Sequence, residues 1–333
     1  MAAPSPPPLP TPRGAVEVLL LDGGNMVVTE DIFHAGAPKR PYRLYDWVFY
    51  IHDPQTGRRV IWDVGVGEKH EYVPFIQALT FPLFKPTPPR RSLVEQLAAH
   101  GVAGADIDTV VFSHAHWDHA RPVSHLFPNA TCYFGPGTAA FCAPGHLPGP
   151  DASTVDDRSQ WDGRFFSPAR ACVSEKWREL DEGEAWAPFG PFARARDLLG
   201  NGALWIVQTP GHLPGHLCAA AHVGDGQWVL MGGDCCHTRP LLDGVKEVAV
   251  YDPPILGGYT SQYHDLPEAR RTWAKVRELE REYGVHVALA HDDTWMKKGE
   301  DAVLMGLLDG EMRAFVERGE GEGDGGLRGG GIP

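Results

Sequence analysis

The run Ser113-His-Ala-His-Trp-Asp-His119 constrains this chain more than any other feature: three imidazoles and a carboxylate follow directly on a short apolar strand signal, Thr109 to Ser113. Packing does not explain that density, because every buried polar ring needs a partner of its own. If extended backbone persists through His114 and His116, their side chains share a face, as residues two apart in a strand do. Asp118 and His119 then turn into a second position beside the first. Imidazole and carboxylate are ligand types that suit zinc at about 2.0–2.2 Å, and a site with an open position binds water.

Three further candidates also follow apolar runs: His212 in Thr209-Pro-Gly-His, Asp234 in Met231-Gly-Gly-Asp, and His291 in Ala288-Leu-Ala-His. A carboxylate offers two oxygens, so Asp234 is the natural bridge between paired metals spaced roughly 3.5–4 Å. Together these residues supply ligands for two metals.

The rest of the chain reads as an α/β protein built from strands in two halves. Glu17 to Asp22 is a strand stopped by Gly23 and Gly24, where positive φ is cheap. Trp47 to His52 and Arg59 to Trp62 flank hairpin chemistry at Asp53-Pro-Gln-Thr-Gly57, and Asp63 heads a glycine-containing loop. The aromatics and prolines of Val73 to Pro89 favour an irregular segment that lines a pocket. Ser92 caps a helix to about His100, with Glu95 completing a capping box and Gly101 ending it. Strands resume at 203–208, 217–223 and 227–231, followed by a helix from Leu266 to Tyr283 and a last strand at 285–290. These elements suit two sheets packed face to face between helices. The main domain is expected over 14–317. A Pro-rich leader at 1–13 and a Gly-rich tail at 318–333 are expected to be disordered, and 135–200 to be an insertion or lid.

A net charge of −13 opposes a nucleic-acid partner, which needs clustered Lys and Arg. No apolar run is long enough to span a bilayer. The six cysteines show no disulfide-framework spacing, which points to a reducing, cytoplasmic setting.

The ordered set His-x-His-x-Asp-His, Pro-Gly-His, Gly-Gly-Asp and a late His, with the Trp62-Asp63-Val-Gly-Val-Gly loop, resembles the metallo-β-lactamase superfamily from about Val16 to His291. Within it the layout is similar to the branch that opens N-acyl homoserine lactones, and especially to fungal-type relatives. The resemblance implies an αββα sandwich of two mixed β-sheets with helices outside. It places His114, His116 and His212 on one Zn2+, Asp118, His119 and His291 on a second, and Asp234 on both. His116 favours zinc, since the iron-binding branch carries Glu there. The implied chemistry is hydrolysis of a small lactone by hydroxide shared between the metals, with Asp118 orienting the nucleophile.

Two positions depart from the pattern. The lactonases carry a tyrosine three residues beyond the bridging Asp, where this chain has His237; an imidazole can donate to the substrate carbonyl or protonate an amine leaving group. Ala120-Arg-Pro replaces the usual Gly-Gly after the motif. The alternatives carried are a lactam or carbamate-ring hydrolase, a glyoxalase II-type thioesterase, and a non-catalytic metal-binding protein. Oligomeric state is left open, a homodimer included. His216 and Asp63 are read as supporting hydrogen-bonding residues, Cys235 and Cys236 as small hydrophobes. Asn25, Met26 and Asp31 are candidates for a substrate-facing loop, Phe75, Phe81 and Phe84 for an apolar wall.

Overall fold

Along Trp47 to Ile51 successive side chains go to different places: Trp47, Phe49 and Ile51 join one buried cluster, Val48 and Tyr50 another. A strand covered on both faces requires this two-residue period. The same alternation recurs in the second half, where Ala219, Ala221, Val229 and Met231 enter the first cluster while Ala220 and Leu230 enter a third. The computed structural model describes residues 7–142, 160–166, 175–180, 185–252 and 260–319.

Strands β1 (Glu17–Thr29), β2 (Pro41–His52), β3 (Arg59–Trp62), β4 (Thr109–Val111), β5 (Thr131–Phe134) and β6 (Trp177–Glu179) form one sheet in that order. Strands β7 (Ala187–Phe189), β8 (Phe192–Asp197), β9 (Leu204–Gln208), β10 (Leu217–Gly224), β11 (Gln227–Met231) and β12 (His286–Ala288) form the other, ordered from β12 to β7. Both sheets are mixed: β3, β4, β5 and β6 pair in parallel, as do β11 and β12, and the remaining pairs are antiparallel. Their inner faces share one core, in which Trp47, Trp62 and Val111 meet Ile206, Ala219 and Met231. The helix Leu93–Ala98 covers the outer face of the first sheet through Leu93 and Leu97. The helix Leu266–Tyr283 covers the second with Ala269, Trp273, Val276 and Leu279, which recur at the spacing of one helical face. This is the αββα sandwich. Among the described residues no helix is long and apolar enough to cross a membrane.

Several local expectations need correcting. Gly23 and Gly24 do not stop β1; they are absorbed as a bulge, since the register passes from Asp22↔Trp47 to Asn25↔Tyr45. A Cβ on Gly23 would sit 2.0 Å from the Asp46 carbonyl oxygen, so only glycine permits that approach. The segment expected to be irregular holds two short helices, Pro74–Leu79 and Phe81–Phe84. Each has its proline in the first turn, where a missing N–H costs nothing. Parts of the expected insertion are strands, β6 and β7 at the sheet edges and β8 next to β7; residues 143–159, 167–174 and 181–184 lie outside the described residues.

Residues 7–13 of the expected leader are placed on the body: Leu9 packs against the outer cluster of the second sheet, Arg13 N–H donates to the Asn201 carbonyl at 2.8 Å, and Tyr283 donates to the Pro7 carbonyl. Residues 1–6 lie outside the description, as do 320–333 of the expected tail. The helix Gly310–Gly319 runs two residues into that tail.

Candidate metal centre

The sheet directions bring five strand ends to one edge. β3 and β4 run together, β11 and β12 run together, and β9 shares the sense of β11 because both are antiparallel to β10. The loops leaving them carry Asp63, His114 to His119, His212, Asp234 and His291, all buried.

His114 Nε2, His116 Nδ1 and His212 Nε2 form a triangle with sides of 2.9, 3.0 and 3.1 Å. Hydrogen bonds among them do not account for it. A neutral imidazole has one N–H, and that of His212 is spent at Nδ1 on the Gln262 carbonyl, 2.9 Å away. His114 Nδ1 likewise engages Ser113 Oγ at 3.0 Å. The remaining lone pairs therefore aim at a common point, as metal-ligating imidazoles do.

Asp234 is shared. Its Oδ2 lies 3.4 Å from His212 Nε2 and 3.7 Å from His114 Nε2, while Oδ1 lies 2.9 Å from His291 Nε2 and 3.3 Å from His119 Nε2. Asp118 Oδ2 completes the second side, 3.6 Å from His119 Nε2 and 3.8 Å from His291 Nε2. The far nitrogens are tied down: His119 Nδ1 to Asp63 at 2.9 Å and His291 Nδ1 to the Tyr45 carbonyl at 2.6 Å. Two groups thus offer ligand atoms within 4.8 Å of one another, His114, His116, His212 and Asp234 in one, Asp46, Asp118, His119 and His291 in the other.

This donor set fits a pair of cations. His119 Nε2 and Asp234 Oδ1 are buried with no hydrogen-bond partner, an arrangement that is costly unless a charge sits between them. Burial drives His116 down to about 3 and holds His114 and His212 well below the ordinary imidazole value, which keeps them in the neutral, ligating form. Burial also opposes protonation of His119 and His291, but the neighbouring carboxylates together outweigh it and raise both, Asp234 with Asp118 and Asp63 for His119, Asp234 with Asp46 for His291. Burial pushes Asp118 up to about 7. The pocket therefore demands positive charge beside its carboxylates.

All seven residues expected as ligands come together here. His237 points in as well, with Nε2 3.3 Å from Asp234 Oδ2. His216 is turned away from the converging atoms: its Nε2 accepts the Asp234 N–H at 3.1 Å and its Nδ1 engages Thr209 Oγ1 at 2.9 Å. Asp63, at φ +58, accepts Ser113 N–H at 2.6 Å while holding His119. Cys235 and Cys236 are buried in the cluster behind the second sheet and join neither ligand group. Arg121, in the altered stretch after the motif, is buried and pairs with Glu71 at 2.7 Å.

The cleft over the ligands has an apolar wall that includes Met26, Phe33, Leu44, Phe84 and Trp117. Of the residues singled out for substrate contact, Met26 and Phe84 line it. Phe81 instead packs on Trp117 at 5.7 Å, and Asn25 accepts a hydrogen bond from Arg43. Phe33 and Tyr263 were missed, since neither lies in a ligand motif. So was Asp46, whose only signal is an acid inside the otherwise uncharged buried run from Leu44 to Ile51.

No protein-family model matches the chain. It is 26% identical over 325 residues to the metallo-hydrolase mfmC of Annulohypoxylon moriforme, a match covering 87% of this chain and 82% of that protein. It is 28% identical over 312 residues to mpaDE' of Penicillium brevicompactum, named a cytochrome P450 monooxygenase. That match covers 86% of this chain but only 34% of the longer protein. Among solved structures, a quorum-quenching N-acyl homoserine lactone lactonase superposes with a TM-score of 0.60 at 15% identity, covering 86% of this chain and 97% of that one. At that identity the likeness shows the two-sheet fold.

Proposed function

We propose that this chain, a metal-dependent hydrolase belonging to the metallo-β-lactamase superfamily with a lactonase-like layout, opens a small cyclic ester using two zinc ions. In this reading His114, His116 and His212 hold one ion, Asp118, His119 and His291 the other, and Asp234 both. The observation that carries it is the triangle of unspent nitrogens at 2.9–3.1 Å, next to a carboxylate that divides its oxygens between two groups.

When bound, such ions lower the pKa of a coordinated water toward about 7 and polarise a carbonyl. Asp118 orients the attacking water. His237 donates from Nε2 to the carbonyl oxygen as negative charge develops there, the role of an oxyanion donor. Asp63 and the Tyr45 carbonyl hold His119 and His291 in register through their far nitrogens. The apolar wall favours a neutral ring with an apolar substituent. Among the described residues, those lining the cleft include no Lys or Arg, which disfavours an anionic thioester of the glutathione type.

The second reading, a lactam, rests on His237 itself. An imidazole at the leaving-group side can pass a proton to an amine, which a tyrosine does poorly near neutral pH.

The test is a side-by-side assay of γ-lactones, γ-lactams and thioesters with protein stripped by chelator and reloaded with zinc. Lactone cleavage that is fastest and returns only with metal is expected. A protein holding two zincs that cleaves no lactone would overturn the reading, and faster lactam cleavage would replace it with the second.

A further inference from the structure

Resting on the two-metal reading, we infer that Asp46 is an additional carboxylate ligand of the second metal position, beside Asp118, His119 and His291. Asp46 lies in β2, three residues past the Phe49↔Trp62 pair, so it sits at the same edge as the strand ends that carry the other ligands.

Three independent features converge on it. First, its side chain is 1% exposed and neither carboxylate oxygen has a hydrogen-bond partner. The nearest candidate donor, His291 Nδ1, lies 3.2 Å from Oδ1, but its proton is directed to the Tyr45 carbonyl at 2.6 Å. Second, a ligand oxygen of Asp46 lies within 4.8 Å of ligand atoms of Asp118, His119 and His291. Two buried carboxylates this close are stable together only with a cation or a proton between them.

Third, the backbone is built to aim it. The Gly23-Gly24 bulge of β1 falls opposite Asp46, and bulges beside sites redirect a side chain. Asp46 is also clamped to the His291 loop on both sides: Tyr45 through its carbonyl, Trp47 through its N–H to Ala290 at 3.1 Å and its indole N–H to Asp292 at 2.8 Å.

The consequence is a marked asymmetry. The first position offers three nitrogens and one carboxylate, the second two nitrogens and three carboxylates, a set that favours harder cations such as Mn2+ more than the first does.

Metal-free wild type, Asp46→Asn and Asp46→Glu are titrated with Co2+, following heat and the visible absorption of the ion. Wild type is expected to take two equivalents. Asp46→Asn keeps the oxygen beside His291 Nδ1 but loses the charge. It is expected to keep one tight equivalent and to weaken the other by more than the roughly 10–100-fold that loss of a supporting hydrogen bond costs. A second equivalent weakened by no more than about 100-fold in Asp46→Asn would overturn the inference and leave two-metal binding standing. Fewer than two equivalents in folded wild type would instead remove the two-metal reading, and this inference with it. If Asp46→Asn does not fold, Asp46→Glu decides: a changed band for the second Co2+ supports a ligand role, an unchanged band refutes it.

Discussion

Tyr263 holds His237 by both its backbone and its ring. The tyrosine oxygen accepts the His237 backbone N–H at 3.1 Å and lies 2.7 Å from the ring Nδ1. In the proposed mechanism its own proton goes to Nδ1, since a phenol oxygen that accepts the backbone N–H still has that proton to give. The ring proton of the neutral imidazole then resides on Nε2, the atom 3.3 Å from Asp234 that faces the cleft. In the proposed mechanism Tyr263 would act through His237.

Tyr263→Phe keeps the ring that packs on Trp273 at 5.1 Å but frees Nδ1 to carry the proton. Turnover should fall by about 100-fold, the low end of the scale for a lost positioned donor, with KM and metal content nearly unchanged. The ring 15N shifts of His237 should show Nδ1 protonation gaining population. A variant with unaltered ring shifts and turnover would contradict the assignment.

His216 holds the backbone of Asp234 in place. Its Nε2 receives the Asp234 N–H, and its Nδ1 is held by Thr209. His216→Ala should leave two metals per chain but loosen both by about 10–100-fold, as removal of a supporting partner does. Both ions are affected because Asp234 faces both groups. Competition with a chromophoric chelator measures this, and outright loss of one ion alone would show that His216 is a ligand instead.

The ligand segments were legible because each is a contiguous motif at the end of an apolar run, where strand periodicity stops and polar atoms need a reason to be buried. His216 was legible on the same ground, four residues past a motif histidine and left without a vacancy to fill. Asp46 was not, since its meaning depends on a bulge in a different strand some twenty residues earlier, and pairing at that distance leaves no local trace. The edge strands β6 and β7 are three residues each, too short for alternation to be seen. Gly23-Gly24 misled for a physical reason: the feature that ends a strand in isolation becomes a bulge once a partner strand continues past it.

A buried ion cluster next to the site gives the fold an acid limit. Burial alone would push the Glu30 carboxyl up, but Lys246, Arg40 and His34 outweigh it and hold it at about 2, against an ordinary 4.5. Since the folded value is depressed, the contribution is fully present above pH 4.5 and drains away as pH falls from there toward 2. Arg40 is 66% and Lys246 37% exposed, so water screens part of the gain, leaving something on the order of 1 kcal/mol. With chelator present to exclude metal loss, wild type should lose more melting temperature between pH 6.5 and pH 3.5 than Glu30→Gln does. Parallel losses in the two proteins would show that Glu30 carries no such linkage.

Metal binding should also stitch the two sheets together, because the ligands come from both. His114 to His119 leave β4 of the first sheet, while His212, Asp234 and His291 leave β9, β11 and β12 of the second. An ion present at 100 times its dissociation constant stabilises the folded state by about 2.7 kcal/mol. For a domain of this size each kcal/mol moves the midpoint by roughly 2–4 °C, so stripping even one ion should lower the melting temperature by about 5–10 °C. The loss should be reversed by returning zinc and should shrink in His116→Ala, which has less affinity to lose. A chelator-treated wild type that melts where the untreated protein does would mean that the converging loops are held by the protein alone, and the buried carboxylates would then have to be neutralised by protons.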